Sequence, residues 1–476
     1  GLITVTGASP MLNSLTFNSA GSGTYILSGN PLQLAGISST TVTANANAIV
    51  TNNLVAAGAF LKNGTAMLTL AGSNTFAADV TVAAGILKAA HVVALGETNN
   101  VVINTGATVD INGQSLNSGT KAIIVGGDGV GGNGAIINTG GGQGSAFSNL
   151  VMTADTTIGT ASQITLRNSF STPGLGLDMG GHTLTKIGAG VLSLTTAASG
   201  CLTNPGNMLV NAGTLQFGFS FPNKTLAPGQ SNCTVMVKGG AILDIYKSSA
   251  NMTYNLVMQD GATLSFSGYS NTGSLNGPMI IGGTVAFLMN TNGFYHGHIT
   301  GTGSLLKTGL GTLTLTGTND YAGNTTLSNG TLVIQQPGLS TNAVVAVATG
   351  AKLQLNFTGT NQVGGLSFNG TNQPAGVHNG ATDPAFLAGP GSLLAAASIS
   401  TTPTNLFWSV GNNSLTLSWP SNYLGWVLQA QTNTLTMGLN NTSNAWLDLP
   451  GTSAVNSTNL PIAATNPAVF YRLRHP

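Results

Sequence analysis

The chain has 476 residues, a formal net charge of +1 and only 5% charged residues, against a usual share of about a quarter. That balance leaves no basic patch for nucleic acid or an anionic membrane. Because 42% of residues are hydrophobic, it also excludes the charge-rich, apolar-poor composition of disordered chains.

No apolar run approaches the roughly 18 to 20 residues of a membrane span, so none is expected. Gly1 stands where an initiating Met would, and no basic-then-apolar leader follows. The numbering is therefore expected to start after a removed signal peptide or inside a longer product.

In chain order, three stretches say nearly the same thing. They are LKNGTAMLTLAGSNTFAADVTVAAGILKA from Leu61, LTKIGAGVLSLTTAASGCLTNPGNMLVNAGTLQFG from Leu184 and LLKTGLGTLTLTGTNDYAGNTTLSNGTLVIQQ from Leu305. Each reads as Lys, a Gly turn, a Leu-x-Leu strand, a Gly/Asn-rich turn, a second strand and then Gly-Thr-Leu or its equivalent. Weaker rungs lie between and after them: GATVDING from Gly106, GAILDIY from Gly240, GATLSFSG from Gly261 and GAKLQLNFTG from Gly350. Alternation at period two marks half-buried strands, and Gly supplies the positive φ of tight corners. No window carries a 3.6-residue period, so almost no helix is expected.

Short strands joined by short turns allow sandwiches, a barrel or a parallel coil. A barrel does not extend over 400 residues, and separate sandwiches would show linkers about every 100 residues. The spacing therefore predicts an all-β chain whose residues 1–400 form a parallel β-helix (a solenoid) of about 16 to 20 rungs and ~80 to 95 Å. Neutral Thr, Ser and Asn on the outside stack in register without like-charge repulsion, which accounts for the missing charges.

Cys201 and Cys233 lie one or two rungs apart and are a disulfide candidate in a secreted chain, the alternative being two buried thiols. Beyond 398–405 (SISTTPTN), read as a linker, the repeat theme stops. All four tryptophans, Trp408, Trp419, Trp426 and Trp446, follow. Residues 402–476 are read as a small, sandwich-like β-domain with an aromatic core. Its four tryptophans and Tyr471 are candidates for assembly, anchoring or sorting.

Gly309, Gly311, Leu313, Leu315, Gly317, Asn319, Tyr321, Gly323, Thr325, Gly330 and Leu332 spell G-x-G-x-L-x-L-x-G-x-N-x-Y-x-G-x-T followed by G-T-L. This pattern resembles the autotransporter-associated β-strand repeat, also called the passenger-associated transport repeat. The copy at Gly64–Leu87 has Phe76 for the Tyr and Ala78 for a Gly; that at Gly188–Leu215 is interrupted around Cys201. The opening from Leu12 to Gly36 is similar to segments of large secreted proteins with these repeats. The resemblance implies a secreted or surface right-handed parallel β-helix of Gram-negative type, and it implies no activity. Autotransporters end in a membrane β-barrel, which 402–476 is too short to build.

Candidate chemistry is sparse. The eleven acids are scattered, whereas a polysaccharide-cleaving β-helix needs converging carboxylates. Asp110 and Asp244 occupy analogous rungs, and the turn or ladder role is preferred for both. His296 and His298 at i, i+2 lack a third metal ligand, which favours an exposed loop. The Gly-rich run 124–135 lacks the Lys-Ser/Thr of a phosphate loop and is read as a loop. No cofactor, metal or catalytic residue is expected. The leading expectation is a structural extracellular protein that assembles with itself head to tail into a filament or surface layer, because open solenoid ends invite further strands. The alternatives are an adhesin that binds extracellular polysaccharide or other glycans and, behind it, a polysaccharide-active enzyme.

Overall fold

The structure is a computed structural model. It describes every residue except 19–22, 37, 117–120, 169–175, 197–201, 220–229, 248–250, 269–273, 397–403, 412, 421–422, 424, 435, 441, 463–467 and 476. The chain is all-β with 3% helix, and its main body is a β-solenoid of about 15 turns with parallel strands. At ~4.8 Å per turn that column is about 70 Å long, shorter than the sequence spacing implied. Rung length varies, and some rungs are longer than the motifs suggest: in-register partners lie 19 positions apart at Leu70 and Ala89 but 28 apart at Ile158 and Lys186.

The chain divides into two compact units, Gly1–Asn372 with His378–Leu393, and Gln373–Val377 with Leu394–Pro476. In the first, alternating residues build vertical stacks. One runs through Leu27, Val50, Leu70 and Ala89; a second through Val42, Lys62, Val82, Ile103, Val125 and Met152. All of these side chains are buried. Burying an aliphatic side chain is worth roughly 1.5–3 kcal/mol, and here each is sealed by the rungs above and below, so no rung is stable alone.

The eleven-residue strand Leu150–Thr160 belongs to both stacks. Its first part pairs with Ile123–Val125 and its last part with Ile136–Asn138. From Gln143 onward a 12-stranded sheet forms another wall. It ends where Gly365–Phe368 is followed by the antiparallel strand Thr371–Asn372. Beside this reversal the Phe368 ring stacks on Phe386 at 4.5 Å, and His378 Nδ1 lies 2.9 Å from Asp383 Oδ2.

Gly64, Gly188 and Gly309, which follow the repeat lysines, have φ between +74° and +78°. A Cβ on any of them would also meet a carbonyl oxygen of the preceding rung, that of Ala44, Thr160 or Met289, at 2.4–2.5 Å. Handedness and crowding together demand glycine there. The run 124–135 is not simply a loop: Ile123–Gly127 is a strand and Val130–Gly132 a 3-10 turn.

The second unit carries two antiparallel sheets. Phe407–Gly411, Ser414–Ser418 and Ser457–Pro461 form one; Leu447–Asp448, Val427–Thr432 and Val469–Arg474 form the other. They share a core of Leu417, Trp419, Tyr423, Trp426 and Leu428. Residues 398–403 of the expected linker lie outside the described residues.

Candidate functional site

The repeat lysine is an internal residue. Lys62, Lys186 and Lys307 are fully buried, each inside an otherwise apolar stack: Lys62 between Val42 and Val82, Lys186 between Ile158 and Val210, Lys307 between Phe287 and Leu327. A buried ammonium is costly unless its donors are satisfied, and these are. Lys307 Nζ donates to the carbonyls of Thr308, Gly309 and Asn329 at 2.8–3.0 Å. Lys186 donates to Ile187, Gly188 and Ala212, and Lys62 to Gly64, Ala66 and Ala84. Each lysine thus ties its own Gly turn to the turn of the next rung. Burial pulls all three down to about 8 from the ordinary 10.5. Lys121, held by the carbonyls of Leu95 and Gly96, is lowered likewise.

The motif Asn is internal too. Asn319 Oδ1 accepts from the Ile299 amide and its Nδ2 donates to Gly317; Asn74 bridges the Leu54 amide and the Ala94 carbonyl. The Tyr321 hydroxyl pairs with Thr325 at 2.7 Å. The repeat's Lys, Asn and Tyr are spent on closing the coil.

The other candidates do not converge. Asp110 lies on a different sheet from Asp244 and is held by Thr139, the Asn112 amide and Lys88 at 3.3 Å. His296 Nδ1 meets Thr316 Oγ1, and His298 Nε2 meets Asp320 at 3.0 Å. Among the described residues no three His, Cys, Asp or Glu gather as a metal would require, and no helix is long and apolar enough to cross a membrane. Cys233 Sγ lies 3.5 Å from the Pro205 carbonyl, and burial raises its thiol. Its expected partner, Cys201, lies outside the described residues.

The aromatic set of 402–476 separates into different environments. Trp419 and Trp426 are core residues and Tyr471 packs against that core. Trp446 is buried, donates to the Asn440 carbonyl and carries the Arg472 guanidinium 4.2 Å from its ring. Trp408 alone of the four is exposed, at 72%, with Phe407 and Val410 beside it on the strand Phe407–Gly411.

A recessed polar strip, which no motif announces, lies on the outer face of the 12-stranded sheet. Thr165, Ser193, Gln216, Asp244 and Ser265 stack in register. They alternate with inward leucines, yet Thr165, Ser193, Asp244 and Ser265 are buried. Hydrogen bonds run along the strip. Ser193 Oγ pairs with Thr195 at 2.6 Å and donates to Gln216 Oε1 at 2.8 Å; Gln216 Nε2 and Ser267 Oγ donate to Asp244 Oδ2 at 2.9 and 2.6 Å. Asp244 Oδ1 is buried and accepts no hydrogen bond. The adjoining cavity of about 360 Å³ is lined by Gln163, Thr165, Arg167, Ser193, Gln216 and Tyr246, among others.

Residues 60–89, 184–217 and 305–334 match the passenger-associated-transport-repeat, the three stretches closed by Lys62, Lys186 and Lys307. Over 187 residues, 38% of this chain, the sequence is 29% identical to the "Adhesin BmaC autotransporter" of Brucella suis biovar 1 (strain 1330). That match spans about 5% of the adhesin's length. No solved structure matches the chain. Three stretches of the chain thus match the passenger-associated transport repeat, each locked by an internal lysine within a β-solenoid of parallel strands.

Proposed function

We propose that the chain is a non-catalytic passenger of adhesin type, secreted or held at the surface of a Gram-negative bacterium, whose solenoid is a stiff, sparsely charged spacer and binding flank. The observation that carries this reading is the use of the repeat's Lys, Asn and Tyr inside the coil, where they meet only the protein's own groups. What remains for the outside is a sparsely charged surface rich in Thr, Ser, Asn and Gly, which suits contact by many weak hydrogen bonds rather than bond-breaking chemistry. The similarity to an autotransporter adhesin supports it. Beads coated with the purified chain test it on cell, extracellular-matrix and polysaccharide surfaces. Retention well above albumin-coated beads is expected; equal retention on every surface overturns the reading.

A second reading is head-to-tail self-assembly into a filament or surface layer. It is favoured by the exposed edge strand Phe407–Gly411, which pairs with Ser414–Ser418 and shows Phe407, Trp408 and Val410. Apolar edge strands recruit further strands. The antiparallel strand Thr371–Asn372 at the end of the 12-stranded sheet weighs against continuation of that sheet, so the adhesin reading leads. Electron microscopy across concentration and salt decides: isolated particles throughout remove the filament.

A further inference from the structure

We infer that the recessed strip between Gln163 and Tyr246 is a binding site for a neutral oligosaccharide, a reading that rests on the adhesin proposal and names its ligand class. The strip differs from the rest of the outer surface in three ways. Its Thr165, Ser193, Asp244 and Ser265 are sunk below the surface rather than standing on it. It is continuous over four rungs, through Ser193, Gln216, Asp244 and Ser267. It also adjoins an open cavity of about 360 Å³, at the low end of the range for small-ligand sites of roughly 300–1,000 Å³ and suited to one or two sugar rings.

The backbone shapes that opening. Thr195, Gly218 and Tyr246 are in register on three successive strands, so the central position carries no side chain. A Cβ on Gly218 would lie 3.1 Å from Thr195 Oγ1, so even alanine would crowd the gap. Below the notch lies Gln216, with Tyr246 on one flank and Arg167, Gln163 and Thr165 on the other.

The chemistry selects the ligand class. The lining is mainly hydroxyls and amides, which both donate and accept and therefore match the hydroxyls of a pyranose. Arg167 is one cation among the lining residues, and Asp244 is one anion beside the lining residue Gln216, whose Nε2 donates to it. An acidic glycan would gain from the first and be repelled by the second, so a neutral chain is favoured. Such a chain can come from glycoproteins or from extracellular polysaccharide.

The test uses the full chain and two sets of two- to four-sugar oligosaccharides: galactose- and mannose-terminated ones, as on glycoproteins, and glucans, as in polysaccharides. Uronic-acid oligosaccharides form a third set. Saturation-transfer NMR and calorimetry should show saturable binding to a member of one neutral set, and which set responds identifies the source. Gln216→Ala, Tyr246→Ala and the rim variant Gln163→Ala should each weaken it, the first about tenfold, as loss of a hydrogen bond from a recessed group does. Trp408→Ala should leave it unchanged. Thermal unfolding of each variant identifies any that has failed to fold, and Gln163→Ala, at a rim position, keeps the test open in that case. No saturable binding to either neutral set, binding only to uronates, or affinity unchanged in all folded groove variants overturns the inference. Bead adhesion is measured in parallel: adhesion that survives without sugar binding sinks the groove and spares the adhesin reading, whereas loss of both sinks both.

Discussion

Lys307 and Gly330 face each other across successive rungs, and a Cβ on Gly330 would stand 2.8 Å from the lysine's Nζ and 2.5 Å from the carbonyl oxygens of Gly309 and Gly311. The glycine also has φ +67°. The Gly of Gly-Thr-Leu is therefore the space that lets a buried ammonium reach the next turn. Gly330→Ala should cost about 2 kcal/mol or more through left-handed strain and crowding, read by denaturant unfolding. Combined with Lys307→Met, the loss should be less than additive, because part of the crowding disappears. Strict additivity would break the link.

Lys307→Met keeps the apolar stem and removes the ammonium. Three carbonyls lose a donor, those of Thr308, Gly309 and Asn329. Relief of the buried charge offsets part of that cost, leaving a net loss of about 2–3 kcal/mol. In a stacked coil the damage stays near the altered rung. Hydrogen exchange should accelerate across 305–334 and remain unchanged at 60–89.

The lysines and tyrosines give the solenoid opposite alkaline slopes. Lys62, Lys186 and Lys307 are held at about 8 in the fold against 10.5 ordinarily. Between those values the unfolded chain binds more protons, so stability rises with pH. Burial raises Tyr321 from 10.0 to about 12 and pushes Tyr254 and Tyr295 up as well. Their contribution is complete below pH 10 and is lost as pH climbs through the folded values. Melting temperature should climb from pH 8 toward 10 and then fall. Replacing the three lysines by Met should flatten the rise and leave the fall.

In the C-terminal unit, Trp419 and Trp408 separate core from surface. Trp419 is 2% exposed, and Trp419→Ala should cost that unit about 3–5 kcal/mol. Trp408→Ala should change its stability by less than about 0.5 kcal/mol. Intrinsic fluorescence against urea distinguishes the two; equal losses would mean that Trp408 is packed in solution.

The coil itself was legible because its signals are local. Leu313 and Leu315 alternate within one strand, and Gly309 marks a corner by its own backbone preference. The role of Lys307 was not legible, since an inward lysine looks like any surface lysine until its three carbonyls close around it. The polar strip was hidden by register. Thr165, Ser193, Gln216 and Asp244 lie 28, 23 and 28 positions apart, so no fixed period aligns them. The tryptophans showed a core but not its membership: Trp408 and Trp419 both sit beside apolar residues in sequence, and only the folded sheets send one outward.

The strand Leu150–Thr160, paired at its two halves with different parts of the coil, has a mechanical consequence. A column pulled from its ends sheds turns singly, each yielding with a few interstrand bonds. Here the chain is knitted into two files at once, and both must tear before the next turn can leave. Under load the protein should extend in small steps and then halt at this seam, so the strand acts as a brake on the coil's unravelling.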